Sequence, residues 1–246
     1  MIMKELRLLF ITIFILLAAG IMSGCAGIAD PFAIQPDRRH AEIERSDAYY
    51  HYMRGVLYSL DQDLDRAIQQ YQRALLFDRE SPQLAVELAT LLLQANRTQE
   101  AIRRLESSLS SHPDHLDSLI MLGTLYTQSE EFEKAVASYR KAIELAPDTP
   151  DPYLLMGMLY KNSGDYLSAI QVLEELLTRD FENHMAAYQL AHVHLTMKNL
   201  DRATYWLQRT LTLKPDFSGA RKDIAFIYEH EENTEVRRKA YETFYE

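Results

Sequence analysis

Alanine recurs at a constant interval of 34 residues through the middle of the chain, at Ala67, Ala101, Ala135, Ala169 and Ala203. Twelve residues before each alanine stands another small residue, and these are Gly55, Ala89, Gly123, Gly157 and Ala191. Self-similarity at one fixed period is typical of chains that stack copies of a single structural unit. The interval is kept without an insertion over five units, so it predicts an array of repeats with a shared register.

Each unit carries the apolar pattern of two amphipathic helices. In the third unit, for example, apolar residues follow steps of three and four at Leu119, Leu122, Leu125 and Tyr126. The small residues allow the two helix axes to approach closely, and larger side chains there would strain the contact. Proline, which ends a helix, stands near the end of three units, while the other two have Arg79 and Phe181 in its place; the prolines are Pro113, Pro147 and Pro215.

This register resembles the tetratricopeptide repeat, with its order of small residue, aromatic, alanine, aromatic, alanine and proline. The resemblance implies an all-α fold, a right-handed superhelix of antiparallel helical hairpins (an α-solenoid). Five repeats are predicted over 48–217, at 48–81, 82–115, 116–149, 150–183 and 184–217. Residues 218–246 are predicted to form a partial sixth repeat or capping helices, and the alternative is a chain that continues into further repeats.

The N-terminus has the composition of a secretory signal. Lys4 and Arg7 precede an apolar run over residues 8–19, which is too short for an ordinary membrane span and suits the core of a signal peptide. We therefore assign residues 1–24 to a signal peptide. The alternatives are an uncleaved anchor and an ordinary secretory signal.

The end of this segment resembles the bacterial lipobox. Ser23 and Gly24 stand directly before Cys25, the single cysteine of the chain, and Met22 replaces the leucine that is commonest there. The resemblance implies cleavage before Cys25 and lipidation of its thiol, by palmitate or a similar acyl group. It also implies a lipid-anchored lipoprotein of the bacterial cell envelope. Ala26 follows the cysteine, where an aspartate would retain the protein at the inner membrane, so we expect the outer membrane, facing the periplasm, and the inner membrane is the alternative.

Residues 25–47 lack a sustained apolar period, so we predict a lipidated N-terminus followed by a flexible tether that turns helical near His40. The formal net charge of the whole chain is −10. Binding to nucleic acid phosphates requires a basic surface, so nucleic acid is excluded as a general partner.

No motif in the sequence predicts catalysis. There is no glycine-rich phosphate loop after a strand, no serine nucleophile elbow and no His-Glu-x-x-His zinc motif. The acidic run at residues 61–65 resembles the start of a calcium loop, but Arg66 stands where the loop requires glycine. We predict no enzyme activity, no cofactor, no metal and no small-molecule substrate.

The resemblance places a partner-binding groove on the first helices of the units. Repeat positions five and nine carry mostly apolar residues, which indicates a docking surface for a peptide or a helix. Burial of the same residues in the core is the alternative interpretation. The predicted groove residues are Tyr52, Val56, Val86, Thr90, Ile120, Thr124, Leu154, Met158, Tyr188 and His192.

The predicted function is a non-catalytic, membrane-anchored scaffold that binds protein partners. Chaperone-binding members of the repeat family clamp a C-terminal carboxylate with Lys and Asn, and positions five and nine have neither residue here. The lipobox, tether and roughly six repeats resemble the pilotins of type IV pilus and secretin assembly. The alternatives are an adaptor for peptidoglycan hydrolases or an envelope protease, and an accessory protein of polysaccharide export or secretion.

Overall fold

A computed structural model describes residues 36–230 and 234–245 of the chain. The signal peptide, Cys25 and the start of the tether lie outside the described residues. The chain divides into two units, residues 1–46 and residues 47–246. Of the first unit, Pro36–Ser46 is described, and it is helical.

The described residues form twelve α-helices, which confirms the predicted all-α fold of helical hairpins. They are α1 (Pro36–Leu60), α2 (Leu64–Phe77), α3 (Pro82–Gln94), α4 (Thr98–Ser111), α5 (Leu116–Gln128), α6 (Phe132–Leu145), α7 (Pro150–Ser163), α8 (Tyr166–Arg179), α9 (His184–Thr196), α10 (Leu200–Leu213), α11 (Ser218–His230) and α12 (Thr234–Tyr245). Within the described range, none of these helices is long and apolar enough to cross a membrane.

The helices keep the 34-residue register of the sequence. From α3 onward, the first helices of the units begin at residues 82, 116, 150, 184 and 218, and the second helices begin at 64, 98, 132, 166, 200 and 234. From α3 to α12, each first helix packs against the second helix of its own unit and that of the preceding unit. The core is therefore continuous from unit to unit, as expected where one hairpin cannot bury both of its faces.

The turn inside the first five hairpins has one backbone design. The second-to-last residue before the second helix has left-handed φ, between 58° and 85°, at Gln62, Asn96, Glu130, Gly164 and Lys198. The next backbone N–H donates to a carbonyl five residues earlier, as from Asp63 to Tyr58 at 2.9 Å. This is the Schellman arrangement that closes a helix, and only one of the five units uses the glycine that normally favours it.

The ends of the second helices fall at one repeat position with or without proline. Helices α4, α6 and α10 end two residues before a proline, at Ser111, Leu145 and Leu213. Helices α2 and α8 end at the equivalent residues, Phe77 and Arg179, where no proline follows. Proline therefore reinforces the end of a second helix but is not required to place that end.

The small residues form the seam between the two helices of each hairpin. All ten are buried: Gly55, Ala67, Ala89, Ala101, Gly123, Ala135, Gly157, Ala169, Ala191 and Ala203. A Cβ atom built on Gly123 would lie 2.6 Å from a ring carbon of Tyr139, and one on Gly55 would lie 2.6 Å from the ring of Tyr71. The tyrosine ring thus occupies the space that a larger residue would need.

Helix α1 begins at Pro36, four residues before His40, where we predicted that the tether turns helical. The tether was inferred from a missing apolar period, but such a period reports a buried face and not helicity itself. Proline suits the first turn of a helix. Extending a helix that is already formed also avoids the cost of nucleating a new one.

The sixth unit contains a complete hairpin of α11 and α12. Arg237 stands where the other second helices have their alanine, and it is exposed. Helix α12 instead buries Val236 and Ala240. The last helix therefore buries the position directly before the usual alanine in place of the alanine position itself.

Candidate functional site

The first helices of neighbouring units lie side by side. Helix α3 contacts α5, α5 contacts α7, and α7 contacts α9. Repeat positions five and nine are four residues apart, so they share one side of each helix. Across α1, α3, α5, α7 and α9 they form a surface that we call the first-helix face, made of the ten predicted groove residues.

Every residue of the first-helix face is accessible to solvent. Nine of the ten are half-buried, and Met158 is 44% exposed. The small residues at position eight of the same helices, such as Gly123 and Ala89, are buried. The face is therefore an open surface beside the core and not part of the seam.

The middle of the face is less polar than its sequence indicates. The Thr124 hydroxyl donates to the Ile120 carbonyl at 3.0 Å, and its oxygen lies 3.3 Å from the Tyr139 hydroxyl. The Thr90 hydroxyl donates to the Val86 carbonyl at 2.9 Å. Because these hydroxyl protons are used within the helix, the threonines contribute mainly apolar surface.

At the N-terminal end of the face, two tyrosines converge on Glu87. The Tyr71 hydroxyl donates to Glu87 Oε2 at 2.5 Å, and the Tyr52 hydroxyl reaches Glu87 Oε1 at 3.5 Å. The negative charge of Glu87 is the main cause that raises the pKa of Tyr52. Burial, followed by the hydrogen bond to Glu87, raises the pKa of Tyr71. Both hydroxyls therefore remain neutral donors at physiological pH.

At the C-terminal end, Asp223 has the role that Glu87 has in the first units. His192 Nε2 lies 2.9 Å from Asp223 Oδ2, and the ring of Tyr188 packs edge-on against the rings of His192 and Phe217 at 4.5 and 4.8 Å. Burial, with a hydrogen bond to Asp223, raises the pKa of Tyr188 to about 12. A tyrosine–carboxylate pair thus flanks the apolar middle at each end.

The sequence analysis did not identify Glu87 and Asp223, although a signal for them exists. Each stands at position six of its unit, 35 residues after the tyrosine at position five of the preceding unit. Taken singly, each looks like an ordinary solvated acid on a helix. Lys161, half-buried on α7, and Asn162, exposed, follow the apolar middle along the chain.

Elsewhere in the described part of the chain, side chains that could bind a metal ion or take part in catalysis are scattered. Residues 36–230 and 234–245 contain no group of three or more His, Cys, Asp or Glu side chains placed to hold a metal ion. A polar cleft of about 220 Å³ lies between α6 and α8, lined in part by Arg140, Tyr160 and Glu175. The hydrogen bond that Arg140 donates to the Tyr160 hydroxyl raises the pKa of Arg140, so this guanidinium stays charged.

Solved structures of other repeat proteins share this fold. The MamA protein superposes with a TM-score of 0.60 at 18% identity, over 70% of this chain and 94% of MamA. YrrB, described as a TPR protein with an unusual peptide-binding site, gives a TM-score of 0.57 at 21% identity over 77% of this chain and 97% of YrrB. A repeat protein from Parabacteroides merdae gives 0.63 at 19% identity, over 85% and 80% of the two chains.

Sequence comparison gives the family. The BBSome complex member BBS4 of Bos taurus is 26% identical over 200 residues, which are 81% of this chain and 38% of BBS4. The tetratricopeptide repeat family matches residues 154–216. The family of the middle TPR-like domain of cilia and flagella-associated protein 70 matches residues 42–178, more than half of the chain. The chain therefore belongs to this family of tetratricopeptide repeat proteins, which are protein–protein interaction scaffolds.

Proposed function

We propose that the first-helix face binds an apolar segment of a protein partner, and that the chain holds this partner at a bacterial membrane through lipidated Cys25. The observation that carries the binding proposal is the continuous accessible surface that five first helices build from mostly apolar side chains. Apolar surface in such a row is a suitable site for the apolar side of a helix or an extended peptide.

Two related proteins support a role in assembly. YrrB is described as having a peptide-binding site, and BBS4 is described as a member of a complex. This chain spans 38% of the length of BBS4, so the activity of that whole protein is not transferred. Both descriptions agree with a scaffold that binds a segment of another protein.

The partner segment is mainly apolar and carries no essential C-terminal carboxylate contact. Lys and Asn are absent from positions five and nine of the face. Glu87 and Asp223 are already engaged by tyrosines and His192. Polar selectivity therefore lies at the two ends of the face, while the middle, with Ile120, Leu154 and Met158, accepts apolar side chains.

Recovery of partners from detergent-solubilised membranes tests the face. The test variant combines Tyr52→Ala with Ile120→Asp. The matched control combines Leu76→Ala with Leu167→Asp on the second helices, where both side chains are more than 60% exposed. We expect the test variant to lose partners that the wild type and the control retain. An unchanged set of partners for the test variant would contradict binding through this face.

The proposed lipid anchor has a separate test. We expect Cys25→Ser to move the protein from the membrane fraction to the soluble fraction, because acyl chains hold a protein on a bilayer through their buried methylenes. Metabolic labelling with a radioactive or clickable palmitate should mark the wild type and not the variant. Retention of Cys25→Ser in membranes would show that something other than acylation attaches the protein.

Within this function, assembly of a secretin or type IV pilus is the specific pathway that we propose. The composition of the recovered complexes distinguishes it from the alternatives. Secretin or pilin subunits support the pilus role. Peptidoglycan hydrolases or an envelope protease support a cell-wall adaptor, and polysaccharide export proteins support an export role.

A further inference from the structure

One side of helix α1 is apolar and exposed. Tyr50, Met53, Leu57 and Leu60 are 54%, 39%, 57% and 75% exposed. Their steps of three, four and three residues keep them on one side of the helix, opposite the buried Gly55. We call these four residues the α1 stripe. It is separate from the first-helix face and from the seam with α2.

The repeat register explains why this side of α1 is open. In later units, the equivalent side of the first helix packs against the second helix of the preceding unit. A second helix preceding α1 in register would occupy residues 30–43, which is 34 residues before α2. Residues 36–43 instead belong to α1 itself. Over that part of the range, the described chain therefore supplies no in-register helix to cover the stripe.

The opposite end of the array is built differently. On α12, Arg238 forms ion pairs with Glu235 at 2.8 Å and with Glu242 at 2.5 Å, and all three side chains are exposed. Charged side chains of this kind are typical of a helix side that faces water. This side of α12 is a poor partner for the α1 stripe, because burial there would remove water from these charges.

We infer that the α1 stripe pairs with the α1 stripe of a second copy of this chain, with the two helices antiparallel about a twofold axis. Steps of three and four residues suit such a pair, because apolar side chains then meet along one shared line. A twofold axis makes each contact occur twice. Setting Tyr50 against Met53 of the second copy therefore also sets Met53 against Tyr50. The same register sets Leu60 and Leu57 against Ile43 and Ser46, which continue the line of the stripe by steps of three and four residues and are exposed.

Charge beside the stripe fits this antiparallel arrangement. Asp47 and Arg54 are seven residues apart on the same flank of α1, and both are half-buried. Arg54 donates to the Tyr50 hydroxyl at 3.1 Å and to the Tyr58 hydroxyl at 2.9 Å. In the antiparallel pair, Asp47 of one copy lies within side-chain reach of Arg54 of the other. The twofold axis then gives two such ion pairs, each between Asp47 of one copy and Arg54 of the other.

Sedimentation equilibrium of the full chain, in a detergent matched to the solvent density, measures the pairing. The stripe is shorter than a standard protein interface, so we expect a dimer with a dissociation constant on the order of 10 µM. Leu57→Asp should weaken it at least tenfold, because it places two charges in the apolar line. Leu167→Asp is the matched control on α8, where the leucine is 77% exposed, and it should leave the dimer unchanged.

Cross-linking locates the contact. In a Cys25→Ser background, Met53→Cys lies near the proposed twofold axis and should give covalent dimers with a short bismaleimide, whereas Leu167→Cys should not. Equal cross-linking of the two variants would overturn the inference, as would a monomer at about 100 µM. A monomer that Leu57→Asp destabilises would show that the same chain covers the stripe, which also overturns it. These outcomes leave the first-helix face untested, because the pairing uses none of its residues.

Discussion

The seam inside each hairpin and the first-helix face lie on the same helices but tolerate different residues. At the seam, Gly123 faces the ring of Tyr139, and an added Cβ would lie 2.6 Å from it. On the face, position five changes from Tyr52 to Ile120 to Tyr188 between units while the backbone repeats. Close contact thus restricts which residues the seam can contain. The residues of the open face can vary, and they can therefore determine which partner binds.

Two combinations of facing residues occur at the seam within this chain. Where the second helix has tyrosine, at Tyr71 and Tyr139, the opposing residue is glycine. Where it has Leu105 or Leu207, the opposing residue is Ala89 or Ala191. The fourth unit pairs Gly157 with Leu173, whose methyl carbon would lie 2.8 Å from an added Cβ. A leucine can shift to admit a methyl group more easily than a tyrosine ring can.

The largest expected effect follows from this pairing. Gly123→Ala should cost about 2 kcal/mol of unfolding free energy, because overpacking against Tyr139 outweighs the better helix propensity of alanine. In a Tyr139→Leu background the same change should be neutral or stabilising, as it is expected to be for Gly157→Ala. Chemical denaturation of the four proteins of the double-mutant cycle measures the coupling. A coupling energy within about 0.5 kcal/mol of zero would contradict the role of contact distance at the seam.

A smaller effect is expected where one unit departs from the others at position eleven. Tyr126 in the third unit donates to Glu106 of the preceding second helix at 2.5 Å. In the fifth unit His194 takes this position, near Glu174, and its Nδ1 is buried without a hydrogen-bond partner. His194→Tyr should therefore gain about 1 kcal/mol, through a new hydrogen bond to Glu174.

The same substitution should change the response to acid. Burial is the main cause that lowers the pKa of His194, so the folded chain binds fewer protons there than the unfolded chain. Above about pH 6.5, His194 is neutral in both states and does not lower the free energy of unfolding. As the pH falls below that value, the unfolded chain binds the proton more readily, so the free energy of unfolding decreases. His194→Tyr should flatten the acid side of a plot of melting temperature against pH, and the reverse change Tyr126→His should steepen it. Parallel plots for all three proteins would refute this role of His194.

The seam was predictable from sequence because its chemistry repeats. The residues at the Ala67 and Gly55 positions are fixed in size by close helix packing, so they appear as a strict interval. The left-handed turn residues were not predictable, because Gln62, Asn96 and Glu130 are not residues that require that conformation. The start of α1 was placed near His40 and not at Pro36 because residues 36–47 have no apolar period, although a helix can extend without a buried side.

The polar ends of the first-helix face were also missed. Glu87 and Asp223 lie on different units, and each contacts a tyrosine of the unit before. Such contacts follow from the stacking of units, so a search within a single helix does not find them. The apolar middle was predictable, since it follows directly from repeat positions five and nine.

Site-specific photocrosslinking tests the binding role of the first-helix face most directly. A benzophenone amino acid replaces Ile120 on α5 in one protein and Ile170 on α8 in the other, two half-buried isoleucines on the first and second helices, and both proteins are irradiated in native membranes. We predict discrete protein adducts from position 120 that diminish with Tyr52→Ala, and none from position 170. Adducts from position 170 alone, or equal adducts from both positions, would contradict binding through the first helices.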